Sequence, residues 1–586
     1  MNKRSRSRFI SGGGATDRGI NITRATMLAL FGVVAARLVY LQVFEADELA
    51  EAAESQRTNS ITLHAKRGTI YDRNGNVLAM SVDCQTIYAN PTVIDDPSGV
   101  ANVLAEYLGG DSSDYLELLV EDTTFVYIEQ RVDEDLAEEL EAALDEADLS
   151  GIYFLDDTKR IYPYDDAGAQ IIGYVGTEGT GLSGLEYQYD DILSGTDGEM
   201  IMETGLDGTP IAGGAYEITE AVDGSDLVIS IDITIQAAAE EIIAEAVETY
   251  DSESGSAMVL DPTTGEVLAA CSTPLPDFDN LTDDSSLNLK LVSSSYEPGS
   301  IFKVITTSIG FNLGLFDTET TYSVPVQILV GEDYVTDDDS RSETMSMTIR
   351  EMLRRSSNVA MAQLVQEVIG AEAFAEGVED FGIGSLTGID FPGETTGIVK
   401  TYDEYDGSTA GSMAFGQGVS IPMIQIVRAY SAVANKGVAM TPHFVVSIDG
   451  EAVDWGEGTE IISEDAAAME IDIMRTVMEE GTGTNGQVEG YDIAGKTGTG
   501  EQADEEGGYE EYTYYSSLCG FANADDPQVL VYAGLEGTSY LAKSSAAYAF
   551  ADIMSEAVSV LGVPTVEDDD EDSEDDEEDD EEDDEE

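Results

Sequence analysis

The sequence predicts an α+β fold: an antiparallel sheet flanked by helices, placed after a mixed α/β region and one N-terminal membrane-spanning helix. Three observations carry this. Residues 25–44 read ATMLALFGVVAARLVYLQVF, a mostly apolar run of about 20 residues, enough to cross a ~30 Å hydrocarbon core as a helix. Beyond residue 221, strand, helix, hairpin, helices, strand, hairpin and helix follow one another, the order of a sheet with helices laid on it. Ser300 and Lys303 stand where a break at Pro298-Gly299 gives way to the apolar run Ile301–Leu315. A helix starting there puts a hydroxyl and an amine on one face.

Charge bounds the function. The 586 residues include 118 acidic and 26 basic ones, a formal charge of -92. Such a chain repels phosphate, so nucleic acid is excluded as a partner. Between Gly224 and Pro564 only Lys290, Lys303, Lys400, Lys436, Lys496 and Lys543 remain as lysines, so each surviving lysine invites a function. Cys84, Cys271 and Cys519 lie far apart, with neither metal-ligand spacing nor a disulfide framework. They read as small buried hydrophobes, and no metal or cofactor is expected. The only histidines, His64 and His443, argue against a Ser-His-Asp triad or a zinc site. Any serine chemistry therefore needs another base.

Taken in order, residues 1–24 are a basic tail and 25–44 the spanning helix. Basic sequence before the helix and acidic sequence after it place the N-terminus in the cytoplasm and the bulk outside, by the positive-inside rule. A signal peptide cut near Ala35-Ala36 is the competing reading; Leu38-Val39-Tyr40-Leu41 carries the apolar run past that cut. Residues 46 to about 60 read as acidic helix, and Asn74-Gly75 as a hairpin turn. Residues 100–150 read as amphipathic helices. Residues 45–220 form a pedestal with no reactive constellation, and 221–563 the reactive domain. Within it, Asp226–Ile231 is a strand, Thr234–Tyr250 a helix, Ala257–Leu260 and Glu266–Cys271 a hairpin, and Ile493–Gly500 a strand. Ser516–Ala522 and Val529–Leu535 make a second hairpin, and a helix from about Ser539 to Val560 closes the domain. Residues 564–586 are a disordered acidic tail: from Glu567 every residue but Ser573 is acidic.

Three short motifs carry chemistry. Ser300-Ile301-Phe302-Lys303 is the chain's only Ser-x-x-Lys. A hydroxyl becomes nucleophilic when a neighbouring base takes its proton, and a lysine desolvated in a cleft can serve as that base. Ser356-Ser357-Asn358 follows a helical stretch. Lys496-Thr497-Gly498-Thr499 lies on a strand, where Lys496 and Thr497 point to opposite faces and Gly498 leaves room for a substrate backbone. Ser286-Leu287-Asn288 also fits Ser-x-Asn but precedes the nucleophile. The ordered trio is the signature of β-lactamases and penicillin-binding proteins.

From residue 25 to about 560 the chain resembles a class B penicillin-binding protein, a monofunctional peptidoglycan transpeptidase. The resemblance also rests on Arg67-Gly68 through Gly75, Arg160–Pro163, Gly181–Glu186 and Phe415-Gly416-Gln417-Gly418. Several of these belong to that family's non-catalytic pedestal and weigh against a stand-alone β-lactamase. The resemblance implies a penicillin-binding, β-lactamase-like transpeptidase domain. In it Ser300 attacks the D-Ala-D-Ala carbonyl of a stem peptide, Lys303 takes the Ser300 proton, and Ser356 relays protons. Asn358 binds the donor amide, Lys496 supplies positive charge, and Thr497, Gly498 and Thr499 bind substrate, with Thr499 on the terminal carboxylate. Backbone N–H groups of Ser300 and Thr499 form the oxyanion hole. An amine of a neighbouring stem peptide resolves the acyl-enzyme, with minor DD-carboxypeptidase activity when water does so. Implied partners are peptidoglycan stem peptides, β-lactams, a SEDS-family glycan polymerase, and other division or elongation membrane proteins, with septal synthesis favoured over side-wall. The alternatives are a β-lactam-hydrolysing or β-lactam-sensing protein, and a non-catalytic scaffold that activates a polymerase.

Overall fold

The computed structural model describes residues 14–45, 58–203, 216–278, 284–337, 339, 341–503, 509–539 and 545–566. Most of the expected basic tail (1–13), most of the acidic helix (46–57) and nearly all of the acidic C-terminal run (567–586) lie outside these residues.

The apolar run belongs to helix Gly14–Val39, which continues as a π-helical segment, Tyr40–Phe44. The most apolar 18-residue window within residues 19–44 has a mean hydropathy of 2.0. This is the one helix among the described residues long and apolar enough to cross a membrane, a candidate single-pass anchor. Leu28, Phe31 and Phe44 on it are exposed.

The chain divides into two compact units. The first comprises Met1–Ala65 and Thr196–Val222. It holds an antiparallel sheet in which Gly198–Glu203 lies between Thr58–Leu63 and Tyr216–Thr219. The expected helix therefore does not extend to residue 60: the β-branched residues of Thr58-Asn59-Ser60-Ile61-Thr62 suit a strand.

The second unit comprises Lys66–Gly195 and Asp223–Glu586, so the compact division does not follow the expected boundary at 220/221. The physical reason is a shared sheet. Ile70–Tyr71 pairs in parallel with Leu227–Ile229 and antiparallel with Val77–Ala89. Val77–Ala89 pairs in turn with Val126–Asp133 and Ile152–Ile161. The turn before it is the expected one. The Asp72 carboxylate accepts from the Asn74 and Asn76 N–H groups, and Gly75 takes φ 85°. Residues 100–150 are not all helical: Val126–Asp133 is a strand between helices Ser112–Leu119 and Glu134–Glu146. Its Ile128 and Val132 pack into the cluster formed by those helices.

The reactive domain is built in chain order from helix α1 (Ile233–Tyr250), strands β1 (Ser254–Leu260) and β2 (Val267–Ser272), helices α2 (Lys303–Asn312), α3 (Asn358–Gln363) and α4 (Glu464–Glu480), strands β3 (Ile493–Ala503), β4 (Tyr509–Ala522) and β5 (Leu530–Ser539), and helix α5 (Ser545–Leu561). The five strands form one antiparallel sheet in the order β2-β1-β5-β4-β3, with β3 at an edge. Alternation along the strands sorts the core onto two faces. Ala257, Val259, Leu518, Val531 and Ala533 pack under Ile235, Ile243, Phe550 and Ile553 of α1 and α5. Met258, Leu260, Cys519 and Tyr532 pack on the other side with Phe302, Val304 and Ile305 at the start of α2 and with Met474 of α4. Each such large side chain, once buried, contributes roughly 1.5–3 kcal/mol. Lys496 stands opposite Cys519 and Thr497 opposite Leu518, so the two point to opposite faces, Lys496 toward the side of α2.

Candidate active site

Ser300 lies in a 3₁₀ turn, Gly299–Phe302, and Lys303 opens α2, so the α-helix expected from Ile301 begins two residues later. The Lys303 N–H donates to the Ser300 carbonyl and closes the turn. Ser300 is partly exposed, whereas Ile301, Phe302 and Lys303 are buried. Behind the turn, the Tyr430 hydroxyl donates to the Ile301 carbonyl at 2.8 Å and the Thr306 hydroxyl to the Ala414 carbonyl at 2.9 Å.

Two glycines let neighbouring backbone press against this turn. Gly299 takes φ 57° and its N–H donates to the Gly416 carbonyl at 3.1 Å; a Cβ on it would lie 2.5 Å from the Thr499 carbonyl oxygen. Gly416 takes φ 80°, and a Cβ there would lie 2.1 Å from the Gly299 oxygen. Both φ values fall where side chains are strained. Glu297 secures the same loop by accepting from the Gly418 N–H at 2.9 Å. Gly498 has a different use from the one expected. A Cβ there would meet Ser517 Oγ at 2.3 Å, Ile301 Cγ2 at 3.0 Å and the Pro298 oxygen at 3.2 Å. The missing side chain seats β3 on the Ser300 turn, and that space is filled by protein.

Lys303 and Lys496 are both fully buried, and one serine lies between them. Lys303 Nζ donates to the Ser356 carbonyl at 2.6 Å, to Ser356 Oγ at 3.1 Å and to Asn358 Oδ1 at 2.6 Å. Lys496 Nζ reaches Ser356 Oγ at 3.1 Å and the Thr497 carbonyl at 2.8 Å. Burial first, and then the charge of Lys303, hold the Lys496 amine well below the usual lysine range. Three acceptors around Lys303 match the three N–H bonds of an ammonium.

Ser356 holds its place at a cost. Its φ is 56°, in the left-handed region, which is worth roughly 1–3 kcal/mol of strain for a residue with a Cβ. The Ser356 and Ser357 N–H groups donate to the Leu353 and Met352 carbonyls at 2.9 and 3.0 Å, and the Ser357 hydroxyl caps α3 by accepting from the Ala360 N–H at 3.0 Å. On the other face of β3, the Thr497 and Thr482 hydroxyls are 2.5 Å apart. Thr499 is partly exposed on the same edge strand.

Some contributors were not visible as site residues in the sequence. Glu470 of α4 is fully buried, with Oε1 2.9 Å from Thr307 Oγ1, and Thr307 Oγ1 is also 2.9 Å from the Lys303 carbonyl. Burial pushes this carboxyl well above the usual range, against the opposing pull of the Thr307 and Ser308 hydroxyls. An acid in the apolar phase of AAAMEIDIM was the available signal. Asp337, beside Ser357, carried none.

The turn that carries Ser300, two buried lysines and the serine between them meet at the edge strand of an antiparallel sheet, an arrangement that suits a serine acyltransferase. Residues 255–555 match the penicillin binding protein transpeptidase domain and residues 62–229 the penicillin-binding protein dimerisation domain. The chain belongs to the class B penicillin-binding proteins and is a serine-type peptidoglycan D,D-transpeptidase that cross-links the cell wall. It is 32% identical over 586 residues to penicillin-binding protein PbpB of Mycolicibacterium smegmatis, covering 91% of this chain and 88% of that one. It is 30% identical over 576 residues to stage V sporulation protein D of Bacillus subtilis, covering 92% and 86%. Among solved structures, one titled a putative peptidoglycan glycosyltransferase from Atopobium parvulum is 45% identical, with a TM-score of 0.68 over 86% of this chain and 99% of that one. Penicillin binding protein 2X of Streptococcus thermophilus is 27% identical, with a TM-score of 0.73 over 87% and 82%. Peptidoglycan and β-lactams are the ligands that go with the family.

Proposed function

We propose that Ser300 is the nucleophile and that a single proton is shared between Lys303 and Lys496 through the Ser356 hydroxyl. The observation that carries this reading is the Ser356 Oγ itself, 3.1 Å from each amine. With the site empty the proton rests on Lys303. When the terminal carboxylate of a stem peptide binds beside Thr497 and Thr499, its negative charge favours an ammonium at Lys496. Ser356 then gives its hydroxyl proton to Lys496 and takes one from Lys303. The neutral Lys303 amine is free to take the Ser300 proton as Ser300 attacks the carbonyl. Asn358 orients the Lys303 amine in the empty site and the donor amide in the loaded one. Close packing of Gly299 on the Thr499 carbonyl brings the Ser300 and Thr499 backbones together, which suits an oxyanion hole made from their N–H groups. The terminal D-alanine leaves with a proton, and an amine of a second stem peptide displaces Ser300 to form the cross-link. A β-lactam acylates Ser300 in place of the stem peptide: the lactam C–N bond opens, the amine stays tethered to the acyl group, and the ester persists. Labelling the full-length protein with a fluorescent penicillin tests the assignment: wild type takes covalent label and Ser300→Ala takes none. An unlabelled wild type, or a labelled variant, overturns it.

The helix preceded by Lys3, Arg4, Arg6 and Arg8 is read as an anchor with a cytoplasmic N-terminus and an external catalytic domain. Residues 45–220 are read as the pedestal, to which a SEDS-family glycan polymerase and other division proteins dock. Septal rather than side-wall synthesis is the favoured process, on overall likeness to the relatives. Depletion of the protein is expected to give filaments or chains under the microscope; rounded cells would overturn the septal reading.

A further inference from the structure

We infer that Asp337 and Arg341 are positioning residues for acylation, acting through Ser356: their buried ion pair fixes the turn that holds the Ser356 hydroxyl between the two amines. This rests on the reading of Ser300, Lys303 and Ser356 given above. Asp337 follows strand Asp333–Thr336. Its carboxylate clamps the residues on both sides of Asn358: Oδ2 accepts from the Ser357 hydroxyl at 2.6 Å, and Oδ1 accepts from the Val359 N–H at 3.0 Å. Arg341 donates to Oδ2 of Asp337 and to the Val324 carbonyl at 3.2 Å, and its Nε lies 3.3 Å from Asp339. The Asp337 and Arg341 side chains are each 7% exposed.

Two physical points give this pair its purpose. A buried ion pair is a poor way to gain net stability, because desolvation offsets the attraction, so its place next to Ser357 calls for another explanation. Ser356 also sits in a backbone conformation that a residue with a Cβ leaves when released. Its carbonyl and hydroxyl both contact Lys303. If the clamp opens and Ser356 relaxes, both contacts move. A displacement of about 1 Å at a reacting constellation costs on the order of 100-fold in rate.

A double-mutant cycle on the full-length protein tests the inference, with the second-order rate of fluorescent-penicillin acylation as readout. Asp337→Asn keeps the shape and removes the charge that pairs with Arg341. It is expected to slow acylation about 100-fold in the wild-type background and by less than about 2-fold in a Ser356→Ala background, because the two act as one unit. Arg341→Gln, which leaves the Asp337 carboxylate in place, is expected to show the same background dependence. The fraction of molecules labelled after long exposure should stay that of the parent, which separates slow chemistry from misfolding. Equal slowing in both backgrounds, or no slowing in the wild-type background, overturns the inference. A wild type that takes no label instead removes the reading of the site on which it rests.

Discussion

Acylation by a penicillin is expected to fall by about four orders of magnitude in Lys303→Ala, and the acid limb of its pH profile is expected to move to higher pH in Lys496→Ala. The first expectation follows from Lys303 being the amine one turn from Ser300, so its loss leaves the hydroxyl without a base. The second follows from the coupling of the two lysines. In the shared-proton reading the pair holds one proton when the site is active. As pH falls, a second proton enters, both amines are charged, and neither can accept from Ser300, so the rate drops. Burial and the Lys303 charge hold Lys496 well below the ordinary lysine range, and that delays the second proton to lower pH. The inflection belongs to the pair rather than to either residue. In Lys496→Ala the like charge is gone and Ser356 has nowhere to pass a proton. Lys303 then keeps its proton until a higher pH, and the rate is lost over the interval between the two inflections. Acylation rates measured across pH for wild type and variant decide this. An unshifted acid limb in Lys496→Ala would sink the shared-proton reading.

Much of the reactive half was legible because its signals are local. Hairpin turns at Asp261-Pro262-Thr263-Thr264-Gly265 and at Asp525-Asp526-Pro527 sit between alternating apolar runs, and β1, β2, β4 and β5 appear where those runs lie. Ser300, Lys303, Ser356, Asn358 and Lys496 were legible as three spacings in one order. The structure brings Lys303, Ser356, Asn358 and Lys496 into hydrogen-bond contact. What was not legible is long-range or relational. The strand Val126–Asp133 is half polar and lies between acidic helices, so its period is masked. The division into units turns on the pairing of Ile70–Tyr71 with Leu227–Ile229, short segments more than 150 residues apart. The purpose of Gly498 depends on Pro298, Ile301 and Ser517 arriving beside it. Which groups surround each amine depends on Ser356, Asn358 and Thr497 arriving beside them from separate segments.

Glu186→Ala is expected to lower the thermal unfolding midpoint by about 4 °C while leaving Ser300 able to acylate at low temperature. Arg67, Arg160 and Glu186 come from three motifs that look unrelated in the chain, and they meet at one carboxylate. Arg67 Nε donates to one oxygen of Glu186, and Arg160 Nε donates to the other at 2.7 Å. Arg67 also donates to Asp190 and to the Glu186 carbonyl, each at 2.6 Å, and Arg160 to the Gly68 carbonyl at 2.7 Å. The Glu186, Arg67 and Arg160 side chains are 0%, 6% and 5% exposed. Alanine would leave two guanidinium groups out of water without the carboxylate they share. Breaking a buried pair from one side costs about 3–5 kcal/mol, and each kcal/mol moves the midpoint of a chain this size by about 1 °C. The triple change Arg67→Met, Glu186→Leu, Arg160→Met removes all three charges and should cost less than Glu186→Ala alone, because the one ion that loses a partner, Asp190, is 27% exposed and can be solvated. Differential scanning calorimetry of the two variants, beside penicillin labelling at low temperature, checks both statements. A triple variant less stable than Glu186→Ala would mean that the cluster acts through its hydrogen bonds to Gly68 and Glu186 backbone rather than through mutual neutralisation.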